Sequence, residues 1–262
     1  MKHLFFRQLS FGFSLSLLLF FLAPNASAQS PEIGAARVVK VEGSAFALPM
    51  DSEERVALQE GDSVQQRTTL VTGGKSRLVL LFSNGAAMTL GPDTSMSIEE
   101  YLHGESGSKK AEPNPSSLHL FLEYGETAGN VEALDESSDF TVRTPLGTAG
   151  IRGTTFRFSF DAEKVVLVVS NVDGTVEWGV GDDLISILAG RELTITGLIG
   201  DDGSIEILDI SHSGIAATEI RRIVQSLAEP IFLRVRGDTP DSRLPFPLTP
   251  SGDDRIIISP SR

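Results

Sequence analysis

The chain contains no cysteine, one tryptophan, two tyrosines and four histidines in 262 residues. Without cysteine there is no disulfide framework, no thiol nucleophile, no thiolate metal ligand and no anchor for a lipid, so stability has to come from a packed core. Beyond His3 the histidines are His103, His119 and His212, and none has a partner at metal-ligand spacing such as i,i+4. No serine occupies a G-x-S-x-G elbow, and Gly147, Gly150 and Gly153 are not spaced as G-x-G-x-x-G. No catalytic residue, no metal site and no cofactor is therefore expected. Basic residues are also in the minority: 22 lysines and arginines against 35 aspartates and glutamates give a formal charge of -13. That balance argues against a nucleic-acid partner, which needs a basic stripe, and against docking on anionic lipid.

Acidic side chains are plentiful, at Asp51, Glu53 and Glu54, at Asp182-Asp183, Asp201-Asp202 and Asp253-Asp254. Such clusters ordinarily solvate turns, whereas a glycosidase needs two carboxyls facing one cleft. Asn171-Val172-Asp173-Gly174 lacks the remaining ligands of an EF-hand calcium loop.

The N-terminus has three parts. Lys2 and Arg7 precede an apolar run from Phe11 to Ala23, and Ala26-Ser27-Ala28 has the small-residue pattern of a cleavage site. Residues 1–28 read as a secretory signal peptide, cleaved after Ala28. Removal of Lys2 and Arg7 makes the remainder more acidic and leaves no membrane-inserted segment. The expected location is the periplasm or another exported compartment.

From Ala35 onward, short apolar stretches alternate with turn residues. Val38, Val39 and Val41 lead to Gly43, Ala45 to Leu48 precede Pro49, and Arg77 to Phe82 is the strongest strand of this half. Ser83-Asn84-Gly85 turns that strand into Ala86 to Leu90. Recurrence roughly every 8 to 12 residues, without a helical period between, indicates an all-β sandwich, barrel or wrapped solenoid. Residues 103–117 carry no apolar periodicity and read as an exposed loop.

The stretch from Ser138 to Trp178 is the centre of this pattern. Phe140 and Val142 alternate with polar neighbours until Thr144-Pro145 stops the strand. Phe156, Phe158 and Phe160 share one face of the next. Val165 to Val169 reads as a strand buried on both faces, and Asn171 to Gly174 as a hairpin turn into Thr175 to Trp178. Arg152, between two glycines, reads as a buried arginine paired with a carboxylate or carbonyls, with ligand recognition as the alternative.

These residues also resemble a known family. Thr144-Pro145, Gly150, Ile151-Arg152-Gly153-Thr154, Phe156, Asp173-Gly174 and Val176 are similar to the core motif of the FecR-type periplasmic domain. Upstream, Gly61-Asp62, Thr69 to Gly73, Asn84-Gly85 and Leu90-Gly91-Pro92 resemble its other motifs, and Ala189-Gly190 its downstream turn, so the likeness spans about residues 38–195. It implies a FecR-like wrapped two-sheet or solenoid-like β domain in which Thr144, Pro145, Gly150, Arg152, Gly153, Thr154, Phe156 and Gly174 are mainly structural. Membrane-spanning proteins of this kind relay a signal from an outer-membrane transporter to a cytoplasmic sigma factor. Here a signal peptide occupies the place of the cytoplasmic segment and spanning helix, so anti-sigma activity is not expected.

The resulting expectation has four parts: a signal peptide at 1–28, a β domain at 29–210, a helix-strand appendage at 211–236 and a Pro-rich, disordered tail at 237–262. In the appendage Ser213 caps a helix whose face carries Ala216, Ile220, Ile223, Val224 and Leu227, Glu219 pairs with Arg222, and Pro230 ends the helix before a strand at Ile231 to Val235. Ile256 to Ile258 can add to a sheet edge. The function expected is a non-enzymatic binding or scaffold domain engaging an envelope protein. The alternative is binding, or carboxylate-dependent processing, of envelope glycan. With Trp178, Tyr101 and Tyr124 as the only tryptophan and tyrosines, aromatic platforms for sugar are few.

Overall fold

Strands that bury one face each follow directly from the period-two alternation. The computed structural model describes residues 32–52, 54–103, 116–132, 137–180, 183–236 and 256–257. The first strands are β1 (Glu32–Ile33), β2 (Ala35–Glu42), β3 (Ala45–Pro49), β4 (Val56–Ala57) and β5 (Ser63–Gln65). Next come β6 (Thr68–Thr72), β7 (Arg77–Phe82), β8 (Ala87–Leu90) and β9 (Ser95–His103). The central strands are β10 (Ser116–Asn130), β11 (Asp139–Thr144), β12 (Gly147–Asp161) and β13 (Val166–Val180). β14 (Asp183–Leu188), β15 (Arg191–Ile199), β16 (Ile205–Gly214), helix α1 (Ala217–Arg236) and β17 (Ile256–Ile257) complete the order. The expected signal peptide, the 104–115 part of the expected loop and all of the tail except Ile256 and Ile257 lie outside the described residues.

Backbone pairing sorts the strands into two sheets. Sheet A runs β4-β3-β6-β9, then through the first half of β10, β11, the first half of β12 and the second half of β13 to β14. Sheet B runs β17-β5-β2-β7-β8, then through the second half of β10, the second half of β12 and the first half of β13 to β15 and β16. Their facing sides enclose one core, with Leu70, Met96, Leu120 and Trp178 from sheet A meeting Leu80, Met88, Phe158 and Leu167 from sheet B. The wrapped two-sheet expectation holds, and the sheets remain open at their ends.

β10, β12 and β13 belong to both sheets because each bends sharply at a glycine. Gly125, Gly153 and Gly174 have φ of +95°, +58° and +68° at these bends. Gly174 shows why no other residue serves: a Cβ there would stand 2.5 Å from the Gly153 carbonyl oxygen and 2.9 Å from Thr154 Cγ2. Asp173 ties the two bends together by accepting hydrogen bonds from the amide of Thr155 and from Thr155 Oγ1 at 3.2 Å. Asn171 adds a second tie, its Nδ2 donating to Gly174 O at 3.1 Å and Ile187 O at 2.7 Å.

Four expectations are corrected here. Asn171 to Gly174 is not a hairpin turn but the bend inside β13; the turn-forming residues serve to change sheets rather than reverse direction. Val165 to Val169 is not buried on both faces: Val166 and Val168 are half-buried, and Val165, at φ +54°, lies in the turn before the strand. In the appendage, Ser213 pairs with Glu192 inside β16 and does not cap α1; the Ala216 carbonyl accepts the first helical bonds instead. Pro230 is buried within α1, which continues through the stretch expected to be a strand. Packing against sheet B sustains the helix past the proline, overriding its local preference.

Helix α1 covers the outer face of sheet B, crossing β7, β8, β10 and β12. Ile223 and Leu227 are buried against Ala128, whereas Val224 is exposed, contrary to its expected place on the buried face. An ion-pair cluster holds the helix down. Arg157 of β12 reaches Glu126 of β10 at 2.6 Å and Glu219 at 3.4 Å, and Arg222 reaches Glu126 at 2.7 Å and Glu219 at 2.9 Å. The Glu219–Arg222 pair was expected; its partners on the sheet were not. Burial alone would push the Glu126 carboxyl up, but the hydrogen bonds and charges of Arg157 and Arg222 hold it below the usual carboxylate range. Glu219 is lowered chiefly by its hydrogen bonds with Arg222. Carboxylates with depressed folded-state values contribute stability at neutral pH and lose it as pH falls through those values. Amide exchange in α1 should therefore speed up relative to the core strands as pH drops below the ordinary glutamate value of about 4.3. Equal protection of helix and core down to global unfolding would contradict this attachment.

Candidate functional site

The outer face of sheet A has no cover among the described residues, and across β11 to β14 it has an unusual floor. Three cross-strand rows form it: Arg143–Thr148–Gly179–Leu184, Thr141–Gly150–Glu177–Ser186, and Arg152–Thr175–Leu188. Gly150 and Gly179 sit at its centre with ordinary backbone conformations. Above each there is room: an added Cβ would come no closer than 3.9 Å to Glu177 O at Gly150 and 3.7 Å to Thr148 O at Gly179. Glycine weakens a strand interior, and among the described residues nothing at these two positions demands it.

Charges and apolar groups rim this floor. Arg152 and Glu177 are both exposed, and neither side chain makes an ion pair or hydrogen bond among the described residues. Arg143 is held by Glu99 and lies 4.6 Å above the Phe121 ring. On the far side Leu184 and Leu188 are 66% and 59% exposed. His119 lies at the near edge, 3.0 Å from Asp139. The expectation of a buried, paired Arg152 is thus overturned. Ile151 takes the inward position, and the alternation of β12 turns Arg152 outward.

The other motif residues are brought together around the bends rather than on the face, apart from Gly150 in the floor. Thr144 Oγ1 accepts from Leu146 N at 3.2 Å and donates to Gly147 O at 3.4 Å, closing the turn at Pro145. Gly153 forms the β12 bend, and the Thr154 carbonyl accepts from Val131 N at 2.9 Å. Phe156 is fully buried, edge-on to Phe140 at 6.1 Å and to Phe158 at 5.4 Å. Glu177, Gly179, Leu184 and Leu188 were not singled out from sequence. Their signal was present as the positions out of phase with Val176, Trp178, Ile185 and Ile187.

A second concavity of about 290 Å³ lies where α1 meets the sheet edge, lined by Glu42, Arg77, Glu126, Arg222 and Ser226 among others. Two of its arginines are already engaged: Arg77 donates to the Ser226 carbonyl, and Arg222 pairs with Glu126. It is the docking seam of the helix. Trp178 and Tyr101 are fully buried, and the Tyr101 hydroxyl, pushed up by burial, bonds Ser83 Oγ at 2.8 Å. Of the tryptophan and tyrosines only Tyr124 is exposed, and it pairs with Ser95 rather than belonging to the cross-strand rows of this floor.

Comparison with known proteins supports the motif reading over part of the chain: residues 68–177 match the family model described as FecR protein. The match is narrower than the 38–195 read from the motifs and runs from the start of β6 into the second half of β13. Two crystal structures of a putative anti-sigma factor from Parabacteroides distasonis ATCC 8503 are similar at 18% and 17% identity, with TM-scores of 0.45 and 0.43. Each comparison covers 60% of this chain and 64% of the solved one, less than two thirds of its length. No curated protein matches the chain. Among the described residues no helix is long and apolar enough to cross a membrane.

Proposed function

We propose that this chain is an exported, non-enzymatic binding or scaffold domain of the cell envelope that engages a protein partner through the outer face of sheet A. The observation that carries the reading is the open floor at Gly150 and Gly179 between Arg152 and Glu177, two exposed charges without a partner among the described residues. In this reading Thr144, Pro145, Gly153, Thr154, Phe156 and Gly174 build the bends and core, while Gly150 and Arg152 face the partner. Threonines, two free charges of opposite sign and exposed leucines are the mixture of a polar rim and apolar spots found at protein interfaces.

Arg152→Ala and Glu177→Ala should each leave the denaturation midpoint unchanged, since exposed side chains without partners contribute within about 0.5 kcal/mol. Both should lose the partner that the wild-type chain captures from envelope extract and that mass spectrometry identifies. Capture unaffected by both variants would refute the face. Retention on a glycan array, lost in the same variants, would replace the protein partner with a saccharide. The exported location is tested separately. Intact mass of envelope material should show a chain beginning at Gln29, and retention of residues 1–28 would overturn cleavage after Ala28.

A further inference from the structure

The ends of the two sheets are not protected alike. In sheet B, β5 is covered by β17, and β16 carries Glu206 and Asp209. In sheet A, β4 is two residues long, but β14 is six residues long and paired only with β13 among the described residues. From Leu184 to Leu188 it holds no charge, no proline and no bulge, the devices by which edge strands ordinarily refuse further pairing. Two leucines on its outer side are exposed and Ile185 is half-buried, while Ile187 reaches the core.

The sequence of this edge, Leu184-Ile185-Ser186-Ile187-Leu188, reads the same in both directions. We propose that a second copy of this chain is its occupant, through antiparallel β14–β14 pairing about a two-fold axis at Ser186. In that register each Leu184 lies opposite the partner's Leu188, each Ile185 opposite the partner's Ile187, and Ser186 opposite itself. An isologous contact requires this kind of self-complementarity, since the same patch must serve on both sides. A shift by one residue would set leucines and isoleucines on mismatched faces, and a shift by two would keep the faces but set a leucine opposite Ser186 and break the Leu184–Leu188 and Ile185–Ile187 pairs, so the pattern favours this alignment. Residues 184–188 carry no charge, and Asp183 at the start of β14 falls opposite the partner's Ala189 at the end of the paired stretch rather than opposite another acid. Sheet A then continues from one copy into the other, and two glycine-floored faces lie side by side. The pairing does not depend on what binds that face.

The absence of cysteine supplies a clean test. Directly opposed residues in an antiparallel pair have Cα atoms about 4.5–5.5 Å apart, within disulfide range. Ser186→Cys in the purified chain should therefore oxidise to a covalent dimer far faster than a control at the exposed turn residue Ser204. Sedimentation of the unmodified chain should show a concentration-dependent dimer, weak because one short edge buries less than about 1,200 Å². Ser186→Asp places like charges together on the axis and should weaken association at least about tenfold; because residue 186 also lies opposite Glu177 of β13, a lowered melt is expected and the comparison is made on chain that circular dichroism shows to be folded. A chain that sediments as a monomer at hundreds of micromolar overturns the proposal. So does a dimer untouched by Ser186→Asp, or cross-linking no faster at Ser186 than at Ser204. None of these outcomes bears on Arg152, so failure here leaves the reading of the glycine-floored face intact.

Discussion

Alanine at Gly174 will cost the fold about 3 kcal/mol, whereas alanine at Gly150 will leave it equally stable or raise stability by up to about 1 kcal/mol. The two positions lie in adjacent strands and both belong to the family motif, yet their surroundings are opposite. At Gly174 the backbone is left-handed with φ +68°, and an added methyl would stand 2.5 Å from a backbone carbonyl oxygen that cannot move without opening the β12 bend. The left-handed penalty of roughly 1–2 kcal/mol then adds to the cost of displacing packed backbone. At Gly150 the nearest atom is 3.9 Å away and the strand conformation suits any side chain. A methyl there removes the entropic cost of glycine in the unfolded chain. Urea melts of the two variants measure the contrast. Equal losses would mean that Gly150 is another packing glycine and that the open floor has no functional meaning. If stability rises while partner capture falls, the partner approaches the floor closely.

That contrast also marks how far the residues alone could be read. Alternation located nearly every strand, because one buried face imposes period two on any half-buried strand, and Arg77–Phe82 coincides with β7. It could not say that β10, β12 and β13 each serve two sheets. A glycine beside Asn and Asp carries the same local preference in a hairpin turn as in a bend, and only pairing with distant strands decides between them. Arg152 was misplaced for a related reason. Flanking glycines suggest tight packing, but the face of a strand residue depends on the phase of its neighbours, and Ile151 already claimed the core. The helix was legible up to Pro230 and not beyond it, where contact with sheet B outweighs the proline. Arg157 and Glu126, which anchor it, lie 31 positions apart and far from Arg222, so no local signal joins them.

The largest single effect should come from Phe156. This ring is fully buried between Phe140 and Phe158, and its cross-strand neighbour is Gly129, over which it lies so closely that a Cβ at Gly129 would be 2.3 Å from Phe156 Cζ. Phe156→Ala removes the ring and leaves a cavity where both sheets join, at a cost of about 3–5 kcal/mol. Gly129→Ala in the otherwise unchanged chain forces the ring aside and should cost about 1–3 kcal/mol. The two losses will not add. Once the ring is gone, a methyl at residue 129 occupies part of the space it vacated, so the double variant should be no less stable than Phe156→Ala alone. The coupling read from a double-mutant cycle should then be at least as large as the Gly129→Ala loss and favourable in sign. Additive losses would mean that the ring and the glycine do not share space, and that the motif phenylalanine holds the fold through its aromatic neighbours only.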